Sequence, residues 1–295
     1  MKLEDIERLA TVGLQSGRDY SHIREITPIR GGSINEAYYV RTDDAEYFMK
    51  YHQNAPKDFF KSEATGLRLL KETNTVSVPE YVAYSDQEGQ SFLLLEWIEG
   101  TETEETEEIL GRKMAALHQC TGRMHGFQRD TYIGLLPQPN ALLPNWLEYF
   151  REYRLKSQVK QGVEKGVIEG ERLRKLEKLL DELDRWVPTF VEPSYLHGDF
   201  YSGNWIVGPA GEPFIVDPSF FYGDRQVDIA FSELFGGFSE RFYAAYQEVF
   251  PLRDDYEEVK PLYQLYYLLA HLNLFGESYG EQVDAIVNRY VSLEK

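Results

Sequence analysis

The sequence has little of what stabilises or anchors proteins outside the cell interior. Its 295 residues include a single cysteine, Cys120, so no disulfide can form within the chain. We expect Cys120, at the end of a helix-like stretch, to be a small packed side chain rather than a reactive group. No run approaches the roughly 18 apolar residues of a membrane-spanning helix, and residues 1–7 lack the apolar stretch of a secretion signal. The sequence therefore predicts a soluble, cytoplasmic protein.

Basic residues are also scarce. Lys and Arg number 31 against 49 Asp and Glu, which gives a formal net charge of −18. Phosphate backbones and anionic lipid surfaces need clustered cations. We therefore expect neither a nucleic acid nor a membrane as a partner.

The chain does have the apolar content of a globular protein, 42% of its residues. Up to residue 97 the pattern is rich in short β runs, including a strand region at 76–80, with helices at 1–20 and 58–71. Beyond residue 100 it is mainly helical, with a long helix predicted at 142–159. A hairpin of residues 204–207 and 213–217 interrupts the helices. The pattern predicts an α+β protein of two lobes.

A glycine pair, a strand lysine and a helix glutamate follow one another in the first lobe. Gly31-Gly32-Ser33 separates two β runs, Lys50 lies on the next strand, and Glu63 lies thirteen residues later on a helix. Taken singly, they could be a hairpin turn, a surface lysine and a solvated acid. Their order indicates a kinase-type grip, in which a lysine held by a glutamate binds phosphates. Helix register is uncertain by a turn, so Asp58 is an alternative to Glu63.

A second set of polar residues surrounds the predicted hairpin. Asp199 precedes Asn204 by five residues, and Asp217 ends the strand that pairs back across the hairpin. This arrangement brings two carboxylates and an amide oxygen together. Such oxygen ligands suit Mg²⁺, and no Cys or His cluster has the spacing of a zinc site.

Longer motifs resemble the fructosamine kinase (ketosamine 3-kinase) family, within the aminoglycoside phosphotransferase branch of the protein-kinase-like fold. The resemblance covers essentially the whole chain. It rests on residues 130–134 (DTYIG), 137–140 (PQPN), 196–205 (LHGDFYSGNW), 216–225 (VDPSFFYGDR), 233–238 (ELFGGF), 263–266 (YQLY) and 271–276 (HLNLFG).

The resemblance implies a bilobal α+β fold with ATP between the lobes. Residues 1–99 would form the ATP-binding lobe, with a five-stranded antiparallel sheet and a helix. Residues 100–295 would form a helical lobe with the catalytic loop and the substrate site. Backbone groups at Glu96, Trp97 and Ile98 would meet the adenine, and the loop from Gly31 through Gly32 and Ser33 to Asn35 would cover the phosphates.

The resemblance also implies the roles of the polar residues. Lys50, oriented by Glu63, would hold the α- and β-phosphates, and Asn204 and Asp217 would hold Mg²⁺. Asp199 would position the sugar hydroxyl and accept its proton, whereas His197 would be structural. For the substrate we consider Tyr222, Asp224, Arg225 and Glu233. As the alternative, Asp224 and Asp228 would cap the helix that follows.

The implied activity is an ATP- and Mg²⁺-dependent phosphotransferase acting on the O3 hydroxyl of a ketosamine, which leads to deglycation. The sugar could be ribulose, erythrulose or fructose, and the amine could belong to lysine or to a protein. One alternative is a kinase of the same fold for aminoglycosides or choline. Another is a nucleotide-binding pseudokinase, although the phosphate-transfer residues are all present. The sequence favours a monomer and leaves a dimer open.

Overall fold

The computed structural model describes residues 2–30 and 34–291. Its contacts divide the chain into two compact units. The first unit comprises Met1–Leu110 with Gly203–Pro218, and the second comprises Gly111–Ser202 with Ser219–Lys295. The predicted lobe boundary near residue 99 stays a prediction.

The strands are β1 (Ile23–Ile29), β2 (Glu36–Thr42), β3 (Glu46–His52), β4 (Tyr81–Ser85), β5 (Ser91–Glu96), β6 (His125–Gly126), β7 (Thr131–Ile133), β8 (Leu136–Gln138), β9 (Leu142–Leu143), β10 (Ser194–Leu196), β11 (Trp205–Val207), β12 (Pro213–Ile215) and β13 (Phe221–Gly223). The α-helices are α1 (Leu3–Ser16), α2 (Phe59–Glu72), α3 (Thr106–Gln119), α4 (Trp146–Tyr149), α5 (Lys156–Glu164), α6 (Gly170–Asp181), α7 (Gln226–Leu234), α8 (Glu240–Val249), α9 (Tyr256–Phe275) and α10 (Gly280–Tyr290). Short 3₁₀ turns occupy Leu183–Arg185, Pro209–Gly211 and Glu277–Tyr279.

The first unit is built on an antiparallel five-stranded sheet with the order β1-β2-β3-β5-β4. Helix α1 covers one face, where Ile6 and Leu9 join Val40, Met49 and Leu94 in one buried cluster. A Cβ atom at Gly13 would lie 2.9 Å from the Phe92 ring, so this glycine permits the close approach of α1. The apolar face of the helix thus supplies the core that holds β3 in place.

The hairpin β11–β12 also belongs to the first unit, with Trp205 paired to Ile215 and Val207 to Pro213. The amide of Ile215 donates to the Ser77 carbonyl at 2.9 Å. The strand region predicted to open at 76–80 continues into β4, an edge strand of the five-stranded sheet. Ser77 forms an isolated bridge to Phe214, and the strand proper begins at Tyr81. Pro79 explains the break, because proline has no N–H to give to a ladder.

The second unit is mainly helical and holds two small sheets, one with the order β10-β13-β6-β9 and one formed by β7 and β8. Its long helix α9 is buried along much of its length, including Leu262, Leu265 and Leu269. No helix in the described ranges, 2–30 and 34–291, is long and apolar enough to cross a membrane.

The predicted helix at 142–159 was wrong at its start and in its regularity. Leu142 and Leu143 pair with β6 as β9, and helix α4 begins at Trp146 after Asn145, whose side chain caps the Glu148 amide at 3.0 Å. A π-helical segment, Phe150–Leu155, then separates α4 from α5. Arg154 in this segment is fully buried, with its guanidinium 4.1 Å from the Phe221 ring centroid.

Candidate active site

In the first unit, strand β3 places Lys50 against two carboxylates. The side chain is nearly buried, and its Nζ donates to Glu63 Oε1 on α2 at 2.8 Å. The same Nζ contacts Asp217 Oδ1. Asp58 bonds to Lys61 instead, at 3.0 Å. The partner of Lys50 on α2 is therefore Glu63.

Burial and charge act in opposite directions on this group. Burial lowers the pKa of Lys50, but the charges of Asp217 and Glu63 outweigh it and raise that pKa above its ordinary value. Burial raises the pKa of Glu63 against the attraction of Lys50. Lys50 is thus a fixed cation at neutral pH, suited to binding anionic phosphate oxygens.

Asn204 and Asp217 are brought together by the hairpin. Asn204 precedes β11, and its carbonyl accepts a hydrogen bond from the Val216 amide at 2.9 Å. Asp217 follows directly, with a φ of 58°. Few residues other than glycine adopt this left-handed backbone, and Asp is among those that tolerate it. The left-handed backbone at Asp217 follows the end of β12, and the carboxylate of the same residue contacts Lys50.

The donor set at this hairpin fits a hard divalent cation. One carboxylate and one amide oxygen match Mg²⁺, which binds few protein ligands and keeps waters and phosphate oxygens. Across residues 2–30 and 34–291 there is no group of three or more His, Cys, Asp or Glu side chains that could hold a metal. A cation here would therefore need oxygen ligands beyond the protein, as a nucleotide supplies.

In the second unit, a short loop after β10 carries Asp199. The amides of His197 and Gly198 donate to the carboxylate of Asp228 on α7 at 2.7 and 2.9 Å. Asp228 is fully buried and also lies 3.2 Å from His118 Nε2. The Asp199 amide donates to His197 Nδ1 at 3.3 Å. His197 is therefore engaged with the loop backbone, and Asp228 fixes the loop.

Gly198 is needed for the shape of this loop. Its φ is +81°, and a Cβ atom there would lie 2.1 Å from the Ser219 carbonyl oxygen. The Gly198 carbonyl accepts a hydrogen bond from the Tyr267 hydroxyl at 3.0 Å. Backbone conformation and packing together leave no room for another residue. The carboxylate of Asp199 follows on a rigid support.

From the sequence, Asp228 is predicted only as a helix-capping acid, and its role in anchoring this loop is seen only in the structure. One signal was present, since Asp228 stands between Val227 and Ile229 in an otherwise apolar stretch. An acid there must find buried hydrogen-bond donors.

The remaining predicted nucleotide contacts are placed in part. Gly31, Gly32 and Ser33 lie outside the described residues. Asn35 is half-buried, and its Oδ1 has no hydrogen-bond partner among the residues that the structure describes. The amides of Glu96 and Trp97 donate to Glu80 and Glu46 within the first unit, at 2.9 and 3.1 Å. Ile98, the next residue, follows the end of β5.

The four residues considered for the substrate lie in packed networks of the second unit. Asp224 is 1% exposed and accepts from both guanidinium nitrogens of Arg253, at 2.9 and 2.6 Å, and from Tyr263. Arg225 lies over the Phe250 ring, 3.7 Å from its centroid. Burial of this kind favours a structural role for both.

Glu233 and Tyr222 are less enclosed. Glu233 accepts from the Tyr256 hydroxyl at 2.6 Å and from Lys260 Nζ at 2.9 Å. Tyr222, on β13, packs edge-on to Tyr195. The substrate roles of all four residues stay predictions.

The five-stranded sheet with its strand lysine, together with the helical second unit, defines a protein-kinase-like fold. The choline kinase LicA from Streptococcus pneumoniae shares this fold, with 14% identity, a TM-score of 0.62 and 97% of each chain covered. At that identity the likeness concerns the fold alone.

Closer comparisons identify the family. The model of the fructosamine kinase family matches residues 7–293. An Enterococcus faecium protein named "Probable ketoamine kinase" is 40% identical over 90% of this chain and 95% of its own. The chloroplastic protein-ribulosamine 3-kinase of Oryza sativa subsp. japonica is 33% identical, and the match covers 92% of this chain and 80% of the rice protein.

A crystal structure of a candidate fructosamine-3-kinase from Haemophilus somnus is similar across 97% of both chains, with 30% identity and a TM-score of 0.86. This chain belongs to the fructosamine kinase family.

Proposed function

We propose that this chain is a ketosamine 3-kinase. It transfers the γ-phosphoryl group of ATP to the O3 hydroxyl of a ribulosamine, erythrulosamine or fructosamine, and the phosphorylated adduct then decomposes to release the amine. The observation that carries the proposal is the buried Lys50 cation, held by Glu63 and Asp217 in a member of this family.

The chain supplies each group that phosphoryl transfer needs. Lys50 binds the α- and β-phosphate oxygens, and Glu63 keeps the ammonium in position. Asn204 and Asp217 would hold Mg²⁺, which neutralises phosphate charge when bound. Asp199 accepts a hydrogen bond from O3 and takes its proton as the new O–P bond forms.

The experiment measures ATP consumption with Mg²⁺ over a panel of acceptors: ribulosamine, erythrulosamine and fructosamine of lysine, choline and one aminoglycoside. We expect turnover with the ketosamines alone. Asp199→Asn should lower kcat by about 10²–10⁴-fold and leave Mg·ATP affinity within a few-fold, because it keeps the size of the side chain. Isotope-labelled product would show phosphate on O3.

Three outcomes would contradict the proposal. Turnover only with choline or the aminoglycoside would show a kinase of the same fold whose acceptor is not a ketosamine. ATP binding without turnover on any acceptor would favour a pseudokinase. Loss of ATP binding in Asp199→Asn would make Asp199 a structural or metal residue instead of the acceptor of the proton.

A further inference from the structure

Two phenylalanines of the second unit are exposed beside the same histidine. Phe235, just after α7, is 42% exposed, and Phe275, at the end of α9, is 49% exposed. Their ring centroids lie 5.0 and 5.7 Å from that of His271, and the Tyr279 ring lies 5.0 Å from His271. We call these four residues the aromatic cluster. Contiguous exposed rings of this kind mark binding sites more often than isolated exposed side chains do.

Buried rings connect the aromatic cluster to the loop that carries Asp199. Phe231 lies 5.9 Å from Phe235 and stacks on Tyr267 at 3.6 Å, with the two rings nearly parallel. Tyr267 donates its hydroxyl hydrogen to the Gly198 carbonyl, and Tyr201 packs against Phe231 at 5.7 Å. The cluster and the loop therefore share one aromatic support.

The turn after Phe235 meets the same loop directly. Gly236 and Gly237 have φ values of +70° and +100°. A Cβ atom at Gly237 would lie 2.4 Å from Ser202 Oγ, three residues after Asp199, whereas one at Gly236 would meet nothing within 4 Å. The turn is thus pressed against the loop on one side and open on the other.

The cluster presents electron-rich surfaces and no ammonium or guanidinium of its own. His271 Nδ1 lies 2.8 Å from the Tyr267 carbonyl oxygen, which can only accept, so Nδ1 carries the hydrogen. Burial lowers the pKa of His271, which keeps the ring neutral and leaves a lone pair on Nε2. Aromatic ring faces attract alkylammonium groups, especially where several rings meet.

We infer that the aromatic cluster binds the amine arm of the acceptor, with the protonated secondary ammonium over the Phe235 and Phe275 rings and Nε2 of His271 as a hydrogen-bond acceptor. The inference rests on the proposed function, since a ketosamine carries its ammonium nitrogen on C1 of the ketose. A free ketose has no such group. The cluster would therefore select ketosamines over sugars of the same shape.

The test compares steady-state kinetics of Phe235→Leu and Phe275→Leu with those of the unaltered chain, using the ribulosamine of lysine. Leucine keeps apolar area but lacks the ring face. Each change should raise KM for the ribulosamine about three- to tenfold, with a smaller effect on kcat. Phe235→Tyr keeps a ring face and should leave KM at the value of the unaltered chain. The control Phe190→Leu alters a 77% exposed phenylalanine outside the cluster. Equal KM values in Phe235→Leu, Phe275→Leu and the control would overturn the inference.

A neutral acceptor separates cation recognition from simple apolar contact. Acetylating the amine of the ribulosamine removes its charge, so Phe235→Leu and Phe275→Leu should not weaken this analogue further. An equal rise in KM for both acceptors would overturn the ammonium assignment. Ligand-observed NMR with the unmodified ribulosamine, without ATP, keeps the test separate from turnover. Weaker binding in both leucine variants would support the cluster even if no acceptor were phosphorylated, an outcome that would overturn only the proposed function.

Discussion

At the scale of single residues, Lys50 is a nearly buried cation held between two carboxylates. Its ammonium lies between Glu63 and Asp217, and only 7% of the side chain is exposed. A buried cation is stable only when such partners compensate its lost hydration. The two carboxylates take two of the three ammonium hydrogens and leave one for a third anion.

Replacing Lys50 tests whether this ammonium group binds the phosphates of ATP. Lys50→Met keeps the length of the side chain and removes its charge, so we expect kcat/KM for ATP to fall by about 10²–10³-fold. Glu63→Gln keeps an oxygen that can accept a hydrogen bond from Lys50, so it should lower kcat/KM for ATP about tenfold or less. Thermal unfolding of both proteins shows whether each is folded at the assay temperature. Unchanged kcat/KM in folded Lys50→Met would remove Lys50 from phosphate binding.

Residue-level prediction from the sequence works where the role of a residue follows from its own element. Lys50 and Glu63 stand at strand and helix positions that local patterns reveal, and the structure places them 2.8 Å apart. Asp228 differs, because its partners are amides thirty residues earlier in the chain. Local sequence shows that an acid stands in an apolar stretch, but its donors are known only from the fold.

At the scale of elements, helix α7 and the loop after β10 act as one part. Asp228 joins them through two backbone amides and has no exposed surface. Buried amides that lose their acceptor cost about 1–3 kcal/mol each. We therefore expect the position of Asp199 to depend on a residue that has no exposed surface.

Asp228→Ala should lower the free energy of unfolding by about 2–5 kcal/mol and reduce kcat more than it raises KM for ATP. Asp228→Asn keeps one acceptor oxygen. Its free energy of unfolding and its kcat should lie between those of Asp228→Ala and the unaltered chain. Urea unfolding and single-turnover kinetics measure the two effects. The exposed Asp184→Ala is the control and should change neither. Full kcat in Asp228→Ala would show that the loop holds its shape without this anchor.

Element prediction succeeds for runs that carry their own periodicity. Helix α2 follows from apolar spacing and matches the helix predicted at 58–71 to within one residue at each end. The strands β6 and β9 have two residues each and exist through pairing with each other and with β13, which is almost a hundred residues beyond β6. In the π-helical segment, Arg154 likewise packs over a ring far along the chain, that of Phe221. Such features follow from tertiary contacts rather than local propensity.

At the scale of the whole molecule, acid stability depends on a buried histidine. His125 is 2% exposed, and burial lowers its pKa to about 4. The unfolded chain binds a proton near the ordinary value of 6.5. Between pH 6.5 and 4 the unfolded state therefore holds more protons, so the free energy of unfolding falls as pH falls.

This effect amounts to about 3 kcal/mol between pH 7 and 4. His125→Gln cannot take up the proton, so its loss of stability over that range should be smaller by about this amount. Urea unfolding at several pH values gives the comparison, with the exposed His22→Gln as control. Parallel curves for His125→Gln and the unaltered chain would show that His125 does not govern acid unfolding.

The division of the first unit has a consequence for biosynthesis. Its sheet is complete by residue 96, but the hairpin that carries Asn204 and Asp217 leaves the ribosome more than a hundred residues later. At about 5–20 residues per second, this interval lasts from several seconds to about twenty. During that time Lys50 and Glu63 are present without Asp217. A chain interrupted before residue 204 therefore carries Lys50 and Glu63 but neither of the two proposed Mg²⁺ ligands, Asn204 and Asp217.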